Sequence, residues 1–310
     1  MTRIACVACL DARRSVHTTT FLRAVELAQG ALLPDNVELR LFDDGASADG
    51  ARQAIQQVMD WKADAVVGHF ASASADVAAP YYAQHQRPLF LPAATAHLLT
   101  EHATTYRLCD SDKDYGRWLQ QLMIQQAWLP ALITHDGSLH GASVAGQIDG
   151  AMETVFPQVL KTNTTVFSGS YSASLDYAVT WAKQSTEQAR LILTDDAWSA
   201  ALVPELLARG VSLPARHIYV AGLQPLPVGD AAMRIRAIWR RRWGDEPGCY
   251  FWETLAALEV ACRFPDIPSQ TVMGQLRFDA LRESRPGSYR LWQAGVEGLR
   301  RVDSLDRVEV

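Results

Sequence analysis

The chain has 310 residues, 48% hydrophobic and 20% charged, enough for two globular domains and unlike a disordered chain, a collagen-like fibre or a small disulfide scaffold. Lys and Arg total 29 against 34 for Asp and Glu, a net charge of −5, so no general affinity for nucleic acid is expected. No stretch approaches the ~18 uninterrupted apolar residues of a membrane helix.

Ile4–Leu10 is a short apolar run that reads as a buried first strand. No long hydrophobic region or cleavage site follows it, so the expected location is cytoplasmic, or periplasmic for a chain trimmed of a leader. The five cysteines, Cys6, Cys9, Cys109, Cys249 and Cys262, are odd in number and irregularly spaced. Cys6 and Cys9 have C-x-x-C spacing, but residues three apart on a strand point to opposite faces. Free thiols are the expectation, with no metal set and no cofactor.

Strand and helix then alternate. Helices are predicted over 20–30, 51–61, 74–85, 115–127, 141–155, 175–184, 198–209, 230–243 and 250–264. Strands are predicted over 37–42, 63–67, 88–92, 131–134, 164–167, 191–194 and 217–221. The tail reads differently: Gln275–Phe278 and Tyr289–Trp292 flank Arg285-Pro286-Gly287-Ser288 like the arms of a hairpin or a sheet-edge pair. Repeated strand–helix units with short loops predict parallel sheets covered on both faces, and their number predicts two doubly wound α/β lobes. Ligands of such sheets bind beyond the carboxyl ends of the strands, which directs attention to the loops there.

After the strand at 63–67 comes Gly68-His69-Phe70-Ala71-Ser72-Ala73-Ser74, leading into a helix. A helix start offers free N–H groups, and a Ser hydroxyl there suits a carboxylate or amide; helix capping by Ser72 or Ser74 is the plainer reading. After the strand at 88–92, Pro92-Ala93-Ala94-Thr95 presents carbonyls and a hydroxyl at the same edge.

Together with Phe42-Asp43-Asp44-Gly45, Pro80-Tyr81-Tyr82, Leu99-Thr100, Tyr106-Arg107, His135-Asp136, Gly141 and Tyr250-Phe251-Trp252, these loops resemble the type I periplasmic binding proteins of the leucine/isoleucine/valine-binding kind. The resemblance covers most of the chain and is strongest over 37–145. It implies two hinged lobes, the first about 1–113 with 228–268 and the second about 114–227 with 269–310. It implies that Ser72, Thr95 and the backbone around Ala93 grip a carboxylate or amide. Trp198 and His140 fall where the family often has tyrosines, Tyr250 is a further wall, and His17 with Phe70 lies in loops of the first lobe. The family's amino-acid binders hold the ammonium with an acid on a later strand; 210–229 contains none, leaving Asp195 or Asp196 as substitutes or as helix caps. Ala71 stands where the family has a cysteine of its lobe-one disulfide.

Arg234, Arg236, Arg240, Arg241 and Arg242 share one predicted helix and read as a solvated face, with an acidic partner as the alternative. No P-loop, G-x-S-x-G, H-E-x-x-H or dinucleotide fingerprint is present. The expected function is a non-enzymatic binding protein for an amino-acid-like, carboxylate or amide ligand, acting as a cytoplasmic sensor or a repurposed relative of a solute-binding protein. A secreted receptor for an ABC permease is the alternative, and an enzyme of this shape using His140, His135 or Asp196 is the alternative of another class. Partners are the small ligand and a partner protein or permease, with a homodimer left open.

Overall fold

A computed structural model describes residues 1–153, 162–213, 216–223, 229–266, 269–287 and 289–302. The chain divides into two compact units, Met1–Ser111 with Pro225–Ser288 and Asp112–Gln224 with Tyr289–Val310.

The first unit is built on five parallel strands: β1 (Thr2–Ala8), β2 (Val37–Asp43), β3 (Ala65–Gly68), β4 (Leu89–Leu91) and β5 (Thr105–Arg107), in the order β2-β1-β3-β4-β5. Central β1 is buried on both faces because alternate residues feed two separate cores. Ala5 and Val7 pack with Val66, Leu89, Leu91, Ile55, Val58 and Tyr82 beneath α2 (Ala48–Asp60) and α3 (Ser72–Gln84). Ile4 and Cys6, both fully buried, belong to the other face, where α1 (Thr18–Ala31) and α9 (Phe251–Arg263) lie together. Helix α8 (Gly229–Trp243) sets Trp239 against Phe251 of α9, ring centroids 4.6 Å apart, and its Arg236 and Arg240 pair with Glu246 at the surface. Every residue of α9 from Phe251 to Ala261 is buried, the pattern of a helix enclosed on all sides. The reversal of strand order between β2-β1 and β3-β4-β5 puts the ends of β1 and β3 side by side, the usual place for a ligand crevice.

The second unit contains α4 (Asp112–Gln125), β6 (Ala131–His135), α5 (Leu139–Glu153), β7 (Thr164–Ser168), α6 (Tyr171–Gln184), β8 (Arg190–Leu193), α7 (Leu202–Ala208), β9 (His217–Leu223), β12 (Tyr289–Gly295) and β13 (Gly298–Val302). The sheet order is β13-β12-β9-β8-β7-β6. Strands β6 to β9 are parallel and follow one another in chain order, whereas β12 runs antiparallel to β9, and β13 to β12. Phe167, Leu191, Leu193, Ile218 and Val220 make one core face with Leu175, Ala178, Leu202 and Leu206.

Four expectations need correction. The expected hairpin does not form: β11 (Gly274–Leu276) pairs with β10 (Ser269–Thr271) in the first unit, while β12 pairs with β9 and β13 in the second. Turn-forming residues mark a change of direction but not a pairing partner, and the Arg285–Gly287 stretch is held elsewhere, Gly287 N donating to Asp110 Oδ1 at 3.2 Å. Accordingly 269–287 lies in the first unit rather than the second. Strand β5 is an addition to the predicted set, because its three residues, Thr-Tyr-Arg, carry no apolar alternation. The helix expected from 198 begins at Leu202, after a 3-10 turn over Asp195–Ala197. The last two residues of the helix expected over 141–155 lie outside the described residues.

Candidate functional site

In the first unit the ends of β1, β3 and the start of α9 gather three of the expected residues. His17 precedes α1, and its ring lies 5.3 Å from Tyr250 and 6.4 Å from Phe70. Phe70 and Tyr250 meet edge-on at 6.2 Å, and Phe21 supports Phe70 from below at 4.9 Å. Such tilted and edge-on pairs suit the ring quadrupoles. Tyr250 precedes α9 with φ of 63°, a left-handed conformation uncommon for a side chain of this size.

The turn that presents Phe70 is itself built from backbone in the left-handed region. Gly68 has φ of +132°, and a Cβ there would lie 1.9 Å from Val7 O; only glycine fits this approach. His69 follows with φ of 52°. Its fully buried ring meets Asp44 Oδ2 through Nδ1 at 3.1 Å and the Tyr82 hydroxyl through Nε2 at 3.4 Å. Burial first, and then the Asp44 charge, push the Tyr82 phenol upward. This group ties the loops after β2 and β3 to α3.

Ser72 opens α3 without capping it: the preceding Ala71 is the cap residue and makes no side-chain cap bond. The Ser72 Oγ instead accepts a hydrogen bond from Ala96 N at 3.3 Å, joining the loop after β3 to the loop after β4. Ser74 does not cap either; its hydroxyl donates to Ser47 O at 3.4 Å. Ala93 and Thr95 are buried in the second of these loops. Beneath it, fully buried Arg107 donates to Thr95 O and Ala96 O, each at 2.6 Å, and faces Glu283 at 3.5 Å. Glu283 also accepts from the Thr100 hydroxyl at 2.7 Å. Arg107, Glu283, Asp44 and His69 have no role that the sequence reveals. Asp44, His69 and Arg107 lie in motifs of the family resemblance, but their partners are not legible there, and Glu283 is 176 residues from Arg107.

In the second unit His140, on the first turn of α5, faces the 3-10 turn after β8. Its Nε2 lies 3.8 Å from Asp195 Oδ1 and 3.7 Å from Asp196 Oδ2. Burial opposes charge on this imidazole, but Asp196, Asp195 and Asp112 outweigh it and raise its pKa to about 10. Asp112, at the start of α4, accepts the Ser143 hydroxyl at 3.0 Å. Thr194 is the cap residue of the 3-10 turn and makes no side-chain cap bond, and α7 starts six residues after Asp196, so Asp195 and Asp196 are not the helix caps that the plainer reading makes them. Trp198 meets Trp292 edge-on at 5.6 Å. A Cβ on Gly222 would come within 3.0 Å of the Trp198 ring, so the absence of a side chain on β9 makes room for the indole.

Residues 18–160 match the sequence pattern of the periplasmic binding protein family. No curated protein matches the chain. Among solved structures, a leucine-binding protein LivK from Thermotoga maritima is similar with a TM-score of 0.81 and 13% identity, over 98% of each chain. A substrate-binding protein of an ABC transporter from Desulfitobacterium hafniense, in complex with Leu, gives 0.74 and 16% over 97% of this chain and 99% of its own. A solute-binding protein from R. palustris in complex with benzoate gives 0.74 and 14% over 97% and 95%. The two mainly parallel α/β sheets of this chain thus have the fold of these solute-binding proteins, and its residues 18–160 match the pattern of the periplasmic binding protein family.

Proposed function

We propose that the chain is a non-enzymatic solute-binding protein for a small amino-acid-like, amide or carboxylate ligand. Ser72, Thr95 and the backbone at Ala93 hold the ligand's polar end, and His17, Phe70 and Tyr250 supply an apolar wall. His140, Asp195, Asp196 and Trp198 complete the grip as the two units close on it, and closure is driven by the ligand's tighter binding to the closed form. The observation that carries this reading is the Ser72–Ala96 hydrogen bond. It unites the two loops that the family resemblance makes the ligand grip, and Arg107 fixes the second of them from below. Relatives of this fold bind Leu and benzoate, which sets the range of ligands to try.

The test is ligand-induced thermal stabilisation with leucine, isoleucine, benzoate and a short aliphatic amide. A solute that raises Tm of the wild type loses that effect in Ser72→Ala/Thr95→Val. Undiminished stabilisation in the double variant refutes the grip. Slow chemical turnover of the stabilising solute, instead of its recovery intact, would favour the enzyme reading with His140 or Asp196 as acid or base. The same grip serves a cytoplasmic sensor or a transport receptor. Co-purification of a soluble partner protein supports the first, and of an ABC permease the second.

A further inference from the structure

We propose that His140, Asp195 and Asp196 form a divalent-cation site at the carboxyl end of β8, and that its ion is zinc. The site shares these three residues with the proposed grip and stands within the second unit alone. One ligand atom from each of the three residues lies within 4.8 Å of the other two. The imidazole nitrogen is 3.8 and 3.7 Å from the two carboxylate oxygens, too far for hydrogen bonds. Ligand atoms about 2.1 Å from a tetrahedral zinc are roughly 3.4 Å apart, so each imidazole–carboxylate pair need contract by only a few tenths of an ångström around an ion.

A second observation points the same way. The Nε2 atom of His140 is buried and makes no hydrogen bond, and it is aimed at the gap between the carboxylates. Buried polar nitrogens are nearly always satisfied. A zinc ion in the gap takes the place of the His140 proton and is held by the Asp195 and Asp196 carboxylates. The donor chemistry selects the metal: imidazole with carboxylates suits zinc and other first-row ions, whereas calcium and magnesium favour oxygen donors throughout. Three protein ligands leave a fourth position open. The His140 and Asp196 side chains are 26% and 23% exposed, so that position is within reach of water or a solute donor atom.

The experiment titrates zinc chloride into the full chain, stripped with chelator and free of organic solutes, by calorimetry. One equivalent binds saturably, and His140→Ala and Asp195→Asn each weaken binding tenfold or more. Cobalt(II) added to the stripped wild type gives visible d–d absorption that His140→Ala abolishes, while unchanged circular dichroism shows that the variant is folded. Absence of saturable zinc binding, or equal stoichiometry and affinity in folded His140→Ala, overturns the site. Because no organic solute is present, either result leaves the Ser72–Thr95 grip to its own test.

Discussion

Buried polar side chains do most of the positioning at the scale of single residues. Asp44 and His69 are both fully buried and bonded to each other, so Asp44→Ala leaves the imidazole Nδ1 unsatisfied. A loss of about 1–3 kcal/mol is expected in denaturant unfolding, together with weaker solute binding through the Phe70–Ser72 loop. Gly68→Ala places a methyl group 1.9 Å from Val7 O; Tm falls sharply or the variant fails to fold, and an unchanged Tm would contradict the packing. Glu253 is enclosed in α9, and burial first, with Asp110 adding to it, raises its pKa to about 8. An acid raised on folding binds more protons in the native state than in the unfolded state. Its contribution to stability therefore falls as pH climbs from about 4.5 towards 8 and is level above that. Melting curves of Glu253→Gln should lose this decline, the variant gaining on the wild type as pH rises through the window.

Elements follow local sequence wherever periodicity and burial agree. Helices α2 and α4 bury one stripe each, Ala51, Ala54, Ile55 and Val58 in the first case, and the spacing alone shows this. Gly146 sits on the exposed face of α5, with open space where a Cβ would stand. Gly146→Ala should therefore stabilise by roughly 0.5–1 kcal/mol, read as a higher midpoint in urea. Strand β5 and the 3-10 turn at Asp195–Ala197 lack such a signal, being three residues each. Their conformations come from what they touch: Leu89, Phe90 and Leu91 of β4 for the strand, and α6 and β9 for the turn.

Pairing distant segments belongs to the whole molecule. Strand β12 lies against β9 although about 70 residues separate Leu291 from its partner Ala221 in the chain. Leu291 and Ala294 are buried there, and Trp292 meets Trp198. A chain ending at Gly287 uncovers the β9 edge and part of the Phe167–Val220 core. We expect that truncated chain to show rapid proteolysis within 112–223 while peptides of 1–108 remain protected. Equal protection of both regions would show that β12 and β13 are dispensable.

Composition, apolar periodicity and strand-end loops suffice to read an α/β chain of two sheets and to point to the loops that carry Ser72 and Thr95, while His17, Phe70 and Tyr250 come from the resemblance to the periplasmic binding proteins. Those readings depend on local order, since a strand and the loop that follows it are neighbours in the chain. The support beneath the loops is not legible in this way: Arg107 needs Glu283, His69 needs Asp44, and His140 meets Asp195 and Asp196 across about 55 residues. Only the tertiary structure decided these partners, because charge pairing and hydrogen bonding act over ångströms in space and leave no periodic trace along the chain.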